Sequence, residues 1–378
     1  MNDYVLSMRR EFHENPEIGF NLPKTLAILR RELDKIGVEY TESYGKSSIV
    51  ATVNPEKSHF TIGIRADIDA LPISEENDVP YKSKIEGQMH ACGHDAHNAI
   101  ALATLKEIYE MRDKITCRVK FIFQAAEEFA PSGAMLMARD GVMDEIDEII
   151  ALHCDPTVPF GSIAIMPEEC NAESNGFSLD FYGTSSHVAN QEKGRDAIMM
   201  CMRAYSDIEF LIAKEVAARE PVIFNVGAIH GGETNNIICN HCSMFCTLRT
   251  FNSDIAKHLI DKIKRICAAV AETADGRFEF NEKKHYPIVY NNPLLAKRLK
   301  ATIEKVVGSE NTLMQKRGMG GEDFSYFANI KPGCMFRLGT RSGPETSNVL
   351  HTKNFNIDER ALEIGVNIFK TYVLDNMK

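Results

Sequence analysis

Between His90 and His97 the chain reads His-Ala-Cys-Gly-His-Asp-Ala-His, which places three imidazoles, a thiol and a carboxylate within eight residues. Thiolate and imidazole suit divalent transition metals, and Gly93 lets the backbone bend so that Cys92 and His94 converge on one ion. Asp95 is placed to hold a ligand imidazole through its second ring nitrogen. The competing reading is a polar helix cap, with Asp95 near a helix N-terminus. A buried group of Cys, His and Asp is costly without a cation to pair it, which favours the metal.

A second centre of chemistry is Glu127-Glu128, which follows the apolar run Arg118 to Phe123 and the residues Gln124-Ala125-Ala126. Carboxylates at the carboxyl end of a strand point into the crevice where open α/β sheets bind ligands. Two adjacent glutamates divide the work there, one ligating a metal and one acting as general base on a nearby water. His153 ends the next apolar run, Glu148 to Leu152, and so belongs at the same sheet edge. His351 follows Val349-Leu350 far along the chain, and from position alone a lone histidine is more often structural than ligating.

The elements that must carry these residues follow from periodicity. Val5 to Gly37 is helical with a break from Pro16 to Pro23, and Ser48 to Val53 and Phe60 to Asp67 are short apolar strands. A helix over Ala96 to Met111, a strand over Arg118 to Phe123, a helix over Gly133 to Arg139 and a strand over Glu148 to His153 continue the alternation. That rhythm implies an α/β sheet covered on both faces.

From about Asn171 to Tyr286 the order becomes β-α-β-β-α-β, with strands at 177–183, 222–230, 243–250 and 277–280 and helices at 196–217 and 253–274. This is the ferredoxin-like unit, which buries one sheet face under two helices. A helix over Pro293 to Val307, a strand over Cys334 to Leu338 and a helix over Glu359 to Leu374 resume the first rhythm. The expected layout is a discontinuous domain of residues 1–172 and 287–378 interrupted by an insertion of residues 173–286.

Composition narrows the function. The 378 residues are 44% hydrophobic and 25% charged, the balance of a packed globular protein and a length that suits two domains. A net charge of −10 without basic clusters excludes a phosphate-backbone footprint, so no nucleic-acid partner is expected. The first residues read as neither signal peptide nor anchor, and no apolar run reaches membrane-spanning length, so the expectation is a cytoplasmic protein without a membrane partner. Ten dispersed cysteines then read as reduced thiols, with Cys201, Cys246 and Cys267 as small buried hydrophobes.

Several segments together resemble the aminoacylase/carboxypeptidase family of two-metal amidohydrolases, in its branch of hippurate hydrolases, auxin-conjugate hydrolases and N-acetyldiaminopimelate deacetylases. They are Arg9 to His13 with Asn15 to Phe20, Arg65-Ala66-Asp67-Ile68-Asp69-Ala70-Leu71-Pro72-Ile73, Met89 to His97, and Gly320-Gly321-Glu322-Asp323-Phe324. The resemblance implies an exopeptidase-like catalytic domain with an inserted lid and dimerisation domain. It further implies two divalent ions (manganese, zinc, cobalt or nickel) held by Cys92, His94, Glu128, His153 and His351, with Cys92 as the bridge. Glu127 becomes the general base and His187, in Gly183-Thr184-Ser185-Ser186-His187, the oxyanion-stabilising residue, reaching across a homodimer. Asn235 and Asn236 match a segment that approaches substrate, and read on their own are equally a polar turn. Asp67 matches an aspartate that orients a metal ligand, although Arg65 stands where the wider family has a ligating histidine.

The chain departs from the branch at Val188-Ala189-Asn190-Gln191-Glu192, where small residues, proline and a second histidine are usual. It also lacks a proline before the glutamate pair, at Ala125-Ala126, and has Cys154 in place of asparagine after the third ligand. The expected activity is metal-dependent cleavage of the amide bond of small N-acyl amino acids, with N-acetyl-L,L-diaminopimelate deacetylation as the alternative. Readings of another class are a non-catalytic metal- or ligand-binding relative and a thiol hydrolase in which Cys92 is the nucleophile.

Overall fold

The computed structural model describes residues 3–57 and 59–377. Helices α1 (Asp3–Glu14) and α2 (Pro23–Ile36) open the chain. Pro23 starts α2 where its missing N–H has no helical partner to lose, and Gly37 ends it in the left-handed conformation. Strands β1 (Glu39–Thr41), β2 (Ile49–Val53) and β3 (Thr61–Asp67) follow, then α3 (His94–Glu110), β4 (Arg118–Gln124), α4 (Gly133–Arg139), β5 (Glu148–Pro159), β6 (Ile163–Ile165) and β7 (Glu168–Asn171). After the inserted segment come β12 (Val289–Asn291), α7 (Pro293–Val307), β13 (Thr312–Met314), α8 (Ser325–Ala328), β14 (Gly333–Arg341) and α9 (Ala361–Asn376).

Eight of these strands form a mixed sheet in the order β1-β2-β4-β3-β5-β14-β6-β13. Its middle, β4, β3, β5 and β14, is parallel, so the carboxyl ends of these four strands lie along one edge. One face packs on α1, α2, α3, α7 and α9 through residues such as Phe12, Leu29, Ile100, Phe121, Leu299 and Phe369. The other packs on α4 and α8 through Ile122, Met137, Ile149, Phe327 and Met335. Helix α3 is buried along most of its length, and its alanines at 96, 99, 101 and 103 allow it to lie close in. A two-stranded sheet pairs β7 with β12.

The inserted segment supplies β8 (Glu173–Tyr182), α5 (Ala197–Glu215), β9 (Val222–Gly231), β10 (His241–Thr250), α6 (Ser253–Thr273) and β11 (Arg277–Tyr286). Its antiparallel sheet runs β11-β8-β10-β9, the strand order of a ferredoxin-like unit. Phe177, Leu179 and Phe181 of β8 and Met244 and Leu248 of β10 face Ile208 of α5 and Leu259 and Ile263 of α6. Asp196 and Asn252 cap the two helices, each accepting two backbone N–H groups of the first turn.

Two compact units result. One contains the chain to Cys170, Val289–Lys316 and the chain from Asp323, and the other contains Asn171–Ile288 with Arg317–Glu322. The return of residues 317–322 is not legible in the sequence, because it rests on contacts between remote residues. Within the second unit Arg249 donates to the Met319 carbonyl at 2.7 Å, and Asn171 Nδ2 donates to the Gly320 carbonyl at 3.0 Å.

None of the ten cysteines is in a disulfide, and all are buried. None of the described helices is long and apolar enough to cross a membrane.

The start of α4 presses on the loop that carries the glutamate pair. Gly133 donates its N–H to the Ala126 carbonyl at 3.1 Å, and a Cβ at Gly133 would stand 1.7 Å from the Ala125 oxygen. That contact is backbone and has no rotamer to relieve it. Gly133→Ala is expected to destabilise the protein by about 1–3 kcal/mol and to weaken metal retention, measured by urea denaturation and by metal content after dialysis.

Candidate metal centre

Cys92, Gly93 and His94 form the entry to α3. Gly93 adopts φ 85°, a left-handed conformation that costs a residue with a side chain about 1–2 kcal/mol. A Cβ there would also meet Cys154 at 3.0 Å. Cys92 and His94 thus flank the N-terminus of α3, where the helix dipole favours a thiolate.

The backbone fixes the imidazoles. His94 donates Nδ1–H to the Asp69 carbonyl at 2.8 Å, which leaves its buried Nε2 as a lone pair without a hydrogen bond. His153 donates Nδ1–H to the Cys154 carbonyl at 2.7 Å, and its Nε2 lies 3.5 Å from Cys92 Sγ. His97 differs. Its Nδ1 donates to Asp67 at 2.6 Å and its Nε2 accepts the Cys154 N–H at 2.8 Å, so both nitrogens are engaged and it offers nothing to a cation.

Asp95 does not hold a ligand imidazole, contrary to the expectation from the motif. Successive helical residues point about 100° apart, so beside His94 it faces away, toward α1. There its carboxylate lies 2.8 Å from both Arg9 Nε and His13 Nδ1. Burial opposes its charge, but Arg9 and His13 hold it far below the usual carboxylate range. The residue that orients His94 is Asp69, to which the motif assigns no role. Its carboxylate also accepts the backbone N–H groups of Glu127 at 3.0 Å and Glu128 at 3.2 Å. A second aspartate two residues past Asp67 is the signal that the sequence offers for it.

Ala126, just before the pair, is held at φ 53°, outside the ordinary range for a residue with a side chain. His351 has the same feature, φ 63°, and its N–H donates to the Ala91 carbonyl at 2.8 Å. That contact brings its ring to Glu128, with Nε2 2.9 Å from Oε1.

The five proposed ligands therefore converge as two donor sets. Cys92, His94 and His153 form one, and Cys92, Glu128 and His351 form the other, with donor atoms in each within 4.8 Å of one another. Cys92 is the member they share. Glu127 stands with His94 and Glu128 in a third set and is almost fully buried. Asp67 lies alongside, its Oδ2 3.5 Å from His94 Nε2 and 2.8 Å from Arg65. Arg65 in turn pairs with Asp323 at 2.6 Å, and Asp323 also accepts from Gln124 and Ser132.

Burial first, and the Glu128 carboxylate second, push the Cys92 thiol well above its usual range. Burial also works against charge on His94, yet Asp67 and Cys92 draw its proton affinity up. A lone pair left open at His94 and a thiol crowded by a carboxylate are the environment a divalent cation satisfies, so the residues fit a two-ion site.

The remaining sequence candidates lie in the second unit. His187 is exposed, its Nδ1 accepting the Ala189 N–H at 3.1 Å, so that the neutral ring carries its proton on Nε2. It bridges Ile237, while Val188 donates to the Asn236 carbonyl, so His187, Asn235 and Asn236 share one loop cluster. Thr234 Oγ1 lies 3.5 Å from Asn235 Oδ1 and 3.2 Å from Asn236 Oδ1.

Residues 63–375 match the family described as Peptidase family M20/M25/M40. The chain belongs to that family. It is 33% identical over 372 residues to the N-acetyldiaminopimelate deacetylase of Shouchella clausii, covering 97% of this chain and 96% of the relative. It is 29% identical over 378 residues to IAA-amino acid hydrolase ILR1-like 2 of Arabidopsis thaliana, covering 100% of this chain and 86% of the relative. Among solved structures, the YXEP protein of Bacillus subtilis, a dinuclear metal-binding peptidase of the M20 family, superposes with a TM-score of 0.83 at 26% identity. That match covers 99% of this chain and 97% of YXEP. The family's members are metal-dependent amidohydrolases and peptidases, and this M20 chain is a metal-dependent hydrolase.

The shared donor yields a stoichiometric test. Cys92→Ala is expected to reduce bound metal from two ions per chain toward none, whereas His153→Ala or His351→Ala retains about one, because each breaks a single donor set. Elemental analysis of dialysed protein reads this directly, and equal losses from all three variants would refute the sharing.

Proposed function

We propose that this M20 hydrolase is an amidohydrolase of small N-acyl amino acids. The observation that carries the reading is the pair of donor sets joined at Cys92 with Glu127 held beside them by Asp69. Two divalent ions, when bound, supply Lewis acidity toward the amide carbonyl and lower the pKa of a water to about 7. Cys92, His94, Glu128, His153 and His351 are the residues that would hold them. Glu127 takes the proton of the attacking water and returns it to the amine nitrogen as the C–N bond breaks. His187, with its proton on Nε2, donates to the developing oxyanion. Asp69 positions His94 and the glutamate pair, Asp67 holds His97 and stands beside His94, and Asn235 and Asn236 approach the substrate.

Against a cysteine hydrolase, Cys92 is the member shared by both donor sets, a placement that suits a metal ligand rather than a free nucleophile. Against a non-catalytic relative, Glu127 is present and buried at the cluster. The deacetylase relative makes N-acetyl-L,L-diaminopimelate the second substrate to examine.

A homodimer through the second unit is supported by β9, ten residues long at the edge of its sheet, with Ile223 and Ile229 exposed. Sedimentation is expected to show a dimer, and a monomer at micromolar concentration would remove the cross-chain role of His187.

Glu127→Gln is expected to lower kcat on N-acetyl and N-benzoyl amino acids by roughly 10²–10⁴-fold while metal content is unchanged. Turnover within tenfold of the parent would mean that another group is the base. Chelation should abolish parent activity and manganese, zinc, cobalt or nickel should restore it.

A further inference from the structure

A row of side chains crosses the carboxyl ends of the central strands. Asp67 of β3 is in register with Gln124 of β4, and Arg337 of β14 is in register with His153 of β5. Residues in register on neighbouring strands present their side chains to the same face, about 4.8 Å apart. The face is fixed independently, because Met335, two residues before Arg337, packs in one cluster with Ile149 and Ala151 of β5, while Phe336 and Leu338 pack on the opposite face with Leu152. Arg337 therefore stands on the same face of the sheet as His153, one strand beyond it.

Arg337 is half-buried, whereas the residues on either side of it in β14 are buried. A cation at this place does not contribute to a donor set, and it adds positive charge beside a site built for divalent ions. Such an arrangement is useful to an anion that lies next to the reacting bond.

We infer that Arg337 is a specificity-determining residue that binds the carboxylate of the substrate on the His153 side of the metal centre. The inference rests on the amidohydrolase reading and names the substrate feature recognised. In an N-acyl amino acid the carboxylate is attached to the carbon that bears the scissile nitrogen, so a group one strand from a metal ligand is within its reach. The guanidinium presents paired N–H donors that match the two carboxylate oxygens, a fit that lysine reproduces only as a point charge. Substrates with a free carboxylate are therefore favoured over the corresponding amides or over internal peptide bonds.

The test compares N-benzoylglycine with N-benzoylglycinamide on metal-loaded parent, Arg337→Met and Arg337→Lys, with metal content measured for each. The parent is expected to favour the acid in kcat/KM, and Arg337→Met to lose on the order of ten- to hundredfold on the acid, mainly in KM, with little change on the amide. Arg337→Lys should recover part of the preference. An acid-to-amide ratio unchanged by Arg337→Met overturns the inference and leaves the amidohydrolase reading intact, since a residue that only kept His153 neutral would affect both substrates alike. If the parent cleaves neither compound, that reading fails instead. Calorimetric binding of N-benzoylglycine then decides the point for Arg337: weaker binding to Arg337→Met supports it, and equal or absent binding overturns it.

Discussion

Asp69 accepts three hydrogen bonds that together set the dimensions of the centre. Its carbonyl takes the His94 Nδ1–H, and its carboxylate takes the backbone N–H groups of Glu127 and Glu128. A ligand on the first turn of α3 and a glutamate pair beyond β4 are thereby referred to one residue at the end of β3. The carboxylate is fully buried, so these bonds are not exchanged with water. Displacing Asp69 would move an imidazole and both glutamates at once, so the proposed ligation and proton transfer share one reference point.

Around that reference the fold holds conformations that the backbone does not choose alone. Ala126 and His351 both have positive φ, at about 1–3 kcal/mol each for such strain. Neighbouring contacts impose them, Gly133 against the Ala126 carbonyl and Ala91 against the His351 N–H. The buried charges behind the site are likewise paired: Arg65 spans Asp67 and Asp323, and Arg9 and His13 meet Asp95. Breaking one partner of such a pair leaves an uncompensated charge in the interior, which is why these groups belong to stability as much as to chemistry.

Much of this architecture is legible in the amino-acid sequence. The long helices and the apolar strands β2 to β5 and β14 show through periodicity, and the inserted unit through its element order. The three-residue strands β1, β6, β12 and β13 do not, because so few residues show no alternation and owe their strand conformation to neighbours in the sheet. At the site, residue type singles out Cys92, His94 and the glutamate pair, and resemblance supplies His153 and His351. Asp95 misleads because adjacency along the chain is not adjacency around a helix. Asp69 escapes notice because its partners lie 58 and 59 residues further on. Arg337 carries no signal at all, since its place beside His153 exists only once β14 has entered the sheet next to β5.

The two donor sets are completed at different points along the chain. Cys92, His94 and His153 all precede the inserted unit, whereas His351 follows both it and β14, and stands 2.9 Å from Glu128. During synthesis on the ribosome, the first set is therefore translated in full before the second gains its last member. One candidate donor set thus belongs wholly to the part of the chain before the inserted unit, whereas the other joins residues from both sides of it.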